Sequence, residues 1–153
     1  MSRAGIPESV VTGFNGSRVV IVASSWHTQI MDGLLAGAER ALRKAGNTEY
    51  EVIRVPGAFE LPLAAQRAAN SGADAVIALG VVIQGDTPHF DYVCDAATSG
   101  LMRVQLDTGV PVGFGLLTVD TEEQGLARAG LESSREDKGA EAVEAAIAMA
   151  RLS

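Results

Sequence analysis

Apolar and polar positions along the chain form two alternating patterns. Short runs rich in β-branched residues stand at 19–23, 51–55, 74–82 and 110–118. The first and third are nearly continuous in apolar residues, as suits strands buried on both faces. Between them the period lengthens. Over 28–45, Ile30, Leu34, Leu35, Ala38 and Leu42 share one stripe, and Gly46 follows where a helix stop belongs. Residues 61–69 predict a short Ala/Leu helix, with Pro62 in its first turn, where the missing N–H has no helical partner to lose. Val93, Ala97, Leu101 and Val104 predict a helix over 90–106. Thr121-Glu122-Glu123-Gln124 has the pattern of a capping box opening another helix. A charged loop, 132–138, leads into an Ala-rich helix over 139–151.

The predicted order is β-α-β-α-β-α-β-α-α. Alternating units of this kind imply an α/β fold, a three-layer α/β/α sandwich around a four-stranded parallel sheet with right-handed crossovers. Residues 1–17, rich in Gly, Ser and Pro without periodicity, read as a flexible N-terminal arm, and 18–153 as a single domain.

Composition narrows the function. The chain has 153 residues, 47% of them apolar, which is one domain with a sizeable core. Twelve basic residues against nineteen acidic ones give a net charge of −7. That balance disfavours nucleic acid and anionic membrane surfaces as partners. One cysteine, Cys94, cannot form an internal disulfide. No apolar stretch approaches the ~20 residues of a membrane span. The first twenty residues lack the apolar core of a signal peptide. A cytoplasmic protein is expected.

In a parallel sheet of this type, ligands bind outside the carboxyl ends of the strands. The unusual residues cluster in the loops expected there. Trp26 and His27 follow the first strand, Pro56-Gly57-Ala58-Phe59-Glu60 the second, and Gln84-Gly85-Asp86-Thr87-Pro88-His89 the third. Trp26 and Phe59 offer flat surfaces for stacking a ring, unless they are core aromatics. Glu60 can accept from hydroxyls, or serve a helix N-terminus. Gly85 and Thr87, ahead of a helix start, suit an anion, whereas Asp86 would repel one. His89 has the side chain best suited to proton transfer near neutral pH, with capping or packing as its structural alternative. Arg128 and Lys138 are candidate phosphate ligands or surface charges. Cys94 lies within a helical pattern and reads as packing. No Walker A, G-x-G-x-x-G or G-x-S-x-G motif is present, and the His and Cys spacing predicts no metal.

Five stretches in register carry a resemblance: residues 55–60, 80–93 and 111–118, then Glu123-Gln124 with Arg128-Ala129-Gly130, then Lys138-Gly139. From about Val19 to the C-terminus the chain resembles the 6,7-dimethyl-8-ribityllumazine synthases. The resemblance implies a flavodoxin-like order and the penultimate step of riboflavin synthesis. A ribitylamino-pyrimidinedione condenses there with 3,4-dihydroxy-2-butanone 4-phosphate and phosphate is released, without cofactor or metal. It implies Trp26 as the stacking aromatic, and Ala58, Phe59 and Glu60 along the ribityl chain. Val81, Val82 and Ile83 would meet the pyrimidine through their backbone. Gly85, Asp86, Thr87 and Arg128 would form the phosphate site with Lys138 nearby, and His89 would transfer protons. Phe114 would reach across a subunit interface, so that two chains share each site.

The family forms pentamers, and some members assemble them into 60-subunit shells. The turn 131–137 is slightly longer than in shell-forming members, so the resemblance implies a free pentamer. One departure stands out: Gln84 replaces the basic residue usual before Gly85. Retained activity with poorer affinity for the phosphate substrate is expected. Two other readings remain at this level. A non-catalytic flavin- or lumazine-binding relative draws its support from Gln84. A flavodoxin-like electron carrier is weakened because no Ser/Thr-rich phosphate loop follows the first strand.

Overall fold

The structure is a computed structural model and describes residues 13–152. Four strands form one parallel sheet in the order β2-β1-β3-β4. They are β1 (Val19–Ser24), β2 (Glu51–Val55), β3 (Ala75–Ile83) and β4 (Val112–Val119). The helices are α1 (Thr28–Lys44), α2 (Leu61–Asn70), α3 (His89–Thr108), α4 (Glu122–Leu126) and α5 (Lys138–Ala150). A 3-10 turn, Ala58–Glu60, precedes α2. This is the doubly wound, flavodoxin-like sandwich that the alternating pattern implies.

Successive residues of a strand face opposite sides of the sheet, and β1 separates two cores. Val19, Ile21 and Ala23 face a cluster with Ile30, Leu34 and Leu42 of α1 and Val143 and Ile147 of α5. Val20 and Val22 face a second cluster with Leu61 and Ala65 of α2 and Ala97, Leu101 and Val104 of α3. Every apolar helix position singled out above is buried or packed against these clusters. Pro62 falls in the first turn of α2.

Backbone approaches on the α1/α5 side are very close. A Cβ at Gly139 of α5 would lie 2.1 Å from the Leu34 carbonyl oxygen of α1. One at Gly33 of α1 would lie 2.4 Å from the Ala129 oxygen, which brings the segment after α4 directly onto α1.

Three local expectations need adjustment. Lys138 is not in a loop but opens α5, because Asp137 caps that helix by accepting from the Ala140 N–H at 3.1 Å. Arg128, expected to end the short helix after the fourth strand, lies just beyond α4, which ends at Leu126. The capping box is shifted: Thr121 Oγ1 accepts from Gln124 N–H at 3.2 Å, but the Gln124 side chain returns to the Asp120 N–H at 2.7 Å. Of the expected arm, residues 1–12 lie outside the described residues. At its inner end Phe14 is buried, and its N–H donates to Ala45 O at 2.8 Å.

Candidate active site

A cleft of about 680 Å³ opens beside the carboxyl ends of β1, β2 and β3. Its walls come from the three loops singled out by sequence: Trp26 and His27, then residues 57–60, then Val81, Val82 and Ile83 of β3 with His89 at the start of α3. Trp26 and Phe59 are 67% and 64% exposed. They are therefore not core aromatics, and their faces are open to a planar ligand. Trp26 stands over Gly57, where a Cβ would lie 3.7 Å from the indole Nε1.

The turn that carries Trp26 is held by cross-strand contacts. The Ser25 hydroxyl donates to Val55 O at 2.8 Å, and Arg54 Nη2 to Ser24 O at 2.9 Å. His27 follows in the left-handed region at φ 61°, where a non-glycine residue is strained by about 1–3 kcal/mol. That turn directs the chain into α1 and leaves the two rings 6.4 Å apart, tilted by 49°.

Glu60 bends back, and its carboxylate accepts from the Gly57 N–H at 3.0 Å. This bond fixes the loop under Trp26 and leaves lone pairs for hydroxyl donors. Val81 is buried and Val82 half-buried, so β3 supplies an apolar floor. His89 is the first residue of α3 and is exposed; its N–H reaches Thr87 Oγ1 at 3.4 Å. Pro88 at the N-cap brings no side-chain acceptor, and the positive dipole end of α3 adjoins the 84–88 loop. A Cβ on Gly85 would meet nothing within 4 Å, which leaves the backbone there open to approach.

Two cleft residues escaped the sequence reading. Tyr92, 74% exposed, lies one helical turn beyond His89 on the same face of α3, and Val93 adjoins it. The i, i+3 relation to His89 was the available signal. Burial, then the Asp91 carboxylate, pushes the Cys94 thiol up, which agrees with packing and not nucleophilic chemistry.

Other expected site residues stand apart from this cleft. Gly85, Asp86 and Thr87 are exposed beside it but do not line it. Phe114 is 49% exposed on β4, an edge strand. Arg128 and Lys138 are brought together on the segment against α1: Lys138 N–H donates to Arg128 O at 3.0 Å. Glu136 lies between their side chains, 3.8 Å from Arg128 Nε and 3.5 Å from Lys138 Nζ.

A flavodoxin-like sheet with an open aromatic cleft at its strand ends defines an α/β protein of the small-ligand-binding class. Comparison with known proteins specifies the member of that class. The chain belongs to the 6,7-dimethyl-8-ribityllumazine synthase family, whose model matches residues 16–153. It is 66% identical over 147 residues to the 6,7-dimethyl-8-ribityllumazine synthase of Kineococcus radiotolerans, covering 96% of this chain and 91% of that one. With the enzyme of the same name from Arthrobacter sp. it shares 62% over 155 residues, 98% and 96% of the two chains. With that of Streptomyces coelicolor it shares 58% over 150 residues, 98% and 93%.

Proposed function

We propose that this chain condenses 5-amino-6-(D-ribitylamino)uracil with 3,4-dihydroxy-2-butanone 4-phosphate, releasing phosphate and forming 6,7-dimethyl-8-ribityllumazine. The observation that carries the reading is the cleft itself. Three exposed aromatics, an apolar strand floor, a carboxylate and two histidines meet at the edge where this fold takes its ligands. Trp26 stacks on the pyrimidine, and the backbone of Val81, Val82 and Ile83 reads its edge. Ala58, Phe59 and Glu60 follow the ribityl chain, with Glu60 accepting from hydroxyls.

His89, at the rim and open to solvent, transfers protons during imine formation and ring closure. Gly85, Asp86 and Thr87 lie ahead of the start of α3 and receive the phosphate end. The condensation is largely a positioning problem, which fits a site with one acid–base group. Nothing favours a non-catalytic binder over this reading.

Phe114, Arg128 and Lys138 do not line the cleft of their own chain. In the proposed arrangement a neighbouring copy delivers them, so that one domain, 18–153, carries two half-sites. A ring of five such chains joins each half to its complement. The exposed Phe114 on an unpaired strand edge supports such an interface. The turn 131–137 favours a free pentamer over a shell. Among the described residues no helix is long and apolar enough to cross a membrane; a cytoplasmic site of action is part of the proposal.

Mixing tests the shared site. His89→Gln disables one half and Arg128→Ala the other, so each variant alone is expected to be nearly inactive. Dissociated and reassembled together, they should regain activity, because random mixing leaves about a quarter of interfaces with both halves intact. A mixture no more active than its parts would place both residues in one chain's site.

A further inference from the structure

The two cations assigned to the phosphate end are not bare charges. Arg128 and Lys138 flank Glu136, whose side chain is only 9% exposed. Lys138 Nζ also meets Glu141 Oε1 at 3.1 Å. Two positive and two negative groups therefore share the cluster. Arg40 stands next to this segment, paired with Asp137 at 3.1 Å.

Glu136 is placed with care by the backbone. Its N–H donates to Ala127 O at 3.1 Å and its carbonyl accepts from the Gly130 N–H at 2.9 Å. The Arg128 guanidinium is pinned in turn by Nη1 donating to Gln124 O at 2.9 Å. Yet Glu136 Oε2, the oxygen facing both cations, is buried and accepts no hydrogen bond. The cations stand near it at ion-pair range, outside tight hydrogen-bonding distance. A buried carboxylate oxygen without a hydrogen bond is rare and calls for an explanation.

We propose that Glu136 is a built-in counter-ion that competes with phosphate for Arg128 and Lys138, and thereby limits how tightly the phosphate end is held. This rests on the proposed function, in which phosphate arrives on one substrate and leaves as a free anion. An arginine–lysine pair without Glu136 would retain that dianion after the bond to it has broken. With Glu136 in place, the cations release Oε2 when phosphate enters and return to it when phosphate departs. The charge balance of the pair, and not the number of cations, then sets affinity.

The test is Glu136→Gln, which preserves shape and removes the negative charge, with inorganic phosphate as the probe. Calorimetry and competitive inhibition against the phosphate substrate should both show phosphate bound about tenfold more tightly than by the wild-type protein, since a like charge at ion-pair range has been removed. Binding of the lumazine product in the aromatic cleft should not change, which separates this role from a merely structural one. Glu136→Asp keeps the charge but withdraws it by one methylene, and should fall between the two. If the glutamine variant does not fold, the aspartate variant alone decides: tighter phosphate supports the proposal, and unchanged or weaker phosphate overturns it. Unchanged or weaker phosphate in the glutamine variant overturns it equally. A wild-type protein that makes no lumazine would instead remove the underlying reading, whatever phosphate does.

Discussion

A His89→Gln variant is expected to lose about 10²–10⁴-fold in the rate of lumazine formation, the range typical of a positioned acid–base group. The side chain stands exposed at the cleft rim, at the first position of α3, and packs into neither core cluster. Replacing it should therefore leave the fold and the aromatic cleft intact. Glutamine still forms hydrogen bonds but does not take up and return a proton near neutral pH. The expected pattern is a fall in kcat with retained binding of the product, read by fluorescence titration and steady-state kinetics on the same preparation. Activity within a few-fold of the wild-type value would remove the role assigned to His89. Equal loss of binding and activity would make it a structural residue of the cleft.

Gly139→Ala should have the largest effect on stability, about 3 kcal/mol, because overpacking against main chain cannot be relieved by a rotamer change. The added Cβ would lie 2.1 Å from the Leu34 oxygen, 2.9 Å from the Leu34 carbonyl carbon and 3.1 Å from the Ala38 nitrogen, all backbone of α1. α5 has to move away from α1, and Lys138, the preceding residue, moves with it. Thermal unfolding at matched protein concentration should show a melting temperature lower by about 10 °C. Gly85→Ala is the internal comparison: its Cβ meets open space, so stability should be nearly unchanged. Equal melting temperatures for the two variants would contradict the close α1/α5 approach.

The sheet was legible because doubly buried strands and amphipathic helices leave different periods in the sequence. Val19, Ile21 and Ala23 share one interior with the stripe Ile30, Leu34, Ala38, Leu42, while Val20 and Val22 face the other. The aromatic cleft was legible for a related reason. In a parallel sheet the strand ends converge on one edge, so unusual residues after three strands had to become neighbours. Tyr92 was missed because its only local signal is its spacing from His89, and exposed aromatics in helices have no period of their own.

Lys138 was misplaced because Asp137 reads as one more charge in a charged loop until its carboxylate is seen capping α5. Glu136 was invisible for the same reason. Its importance comes from burial between two cations, which the turn 131–137 creates by folding back on residues 127–130. From sequence, Arg128 and Lys138 were candidate phosphate ligands or surface charges, and the resemblance implied the first. The structure shows both engaged with glutamates within the chain.

The separation of Phe114, Arg128 and Lys138 from the cleft is a further property that pattern reading does not reach. In the proposed ring these residues would meet the cleft of a second copy, and no single-chain periodicity records such a contact.

The most direct measurement is turnover by the purified protein supplied with 5-amino-6-(D-ribitylamino)uracil and 3,4-dihydroxy-2-butanone 4-phosphate, following lumazine absorbance and inorganic phosphate together. The proposed reaction predicts one phosphate released for each lumazine formed, well above the rate of the same mixture without protein. Binding of lumazine or riboflavin with no acceleration of either signal would contradict it and leave the cleft a binding site alone.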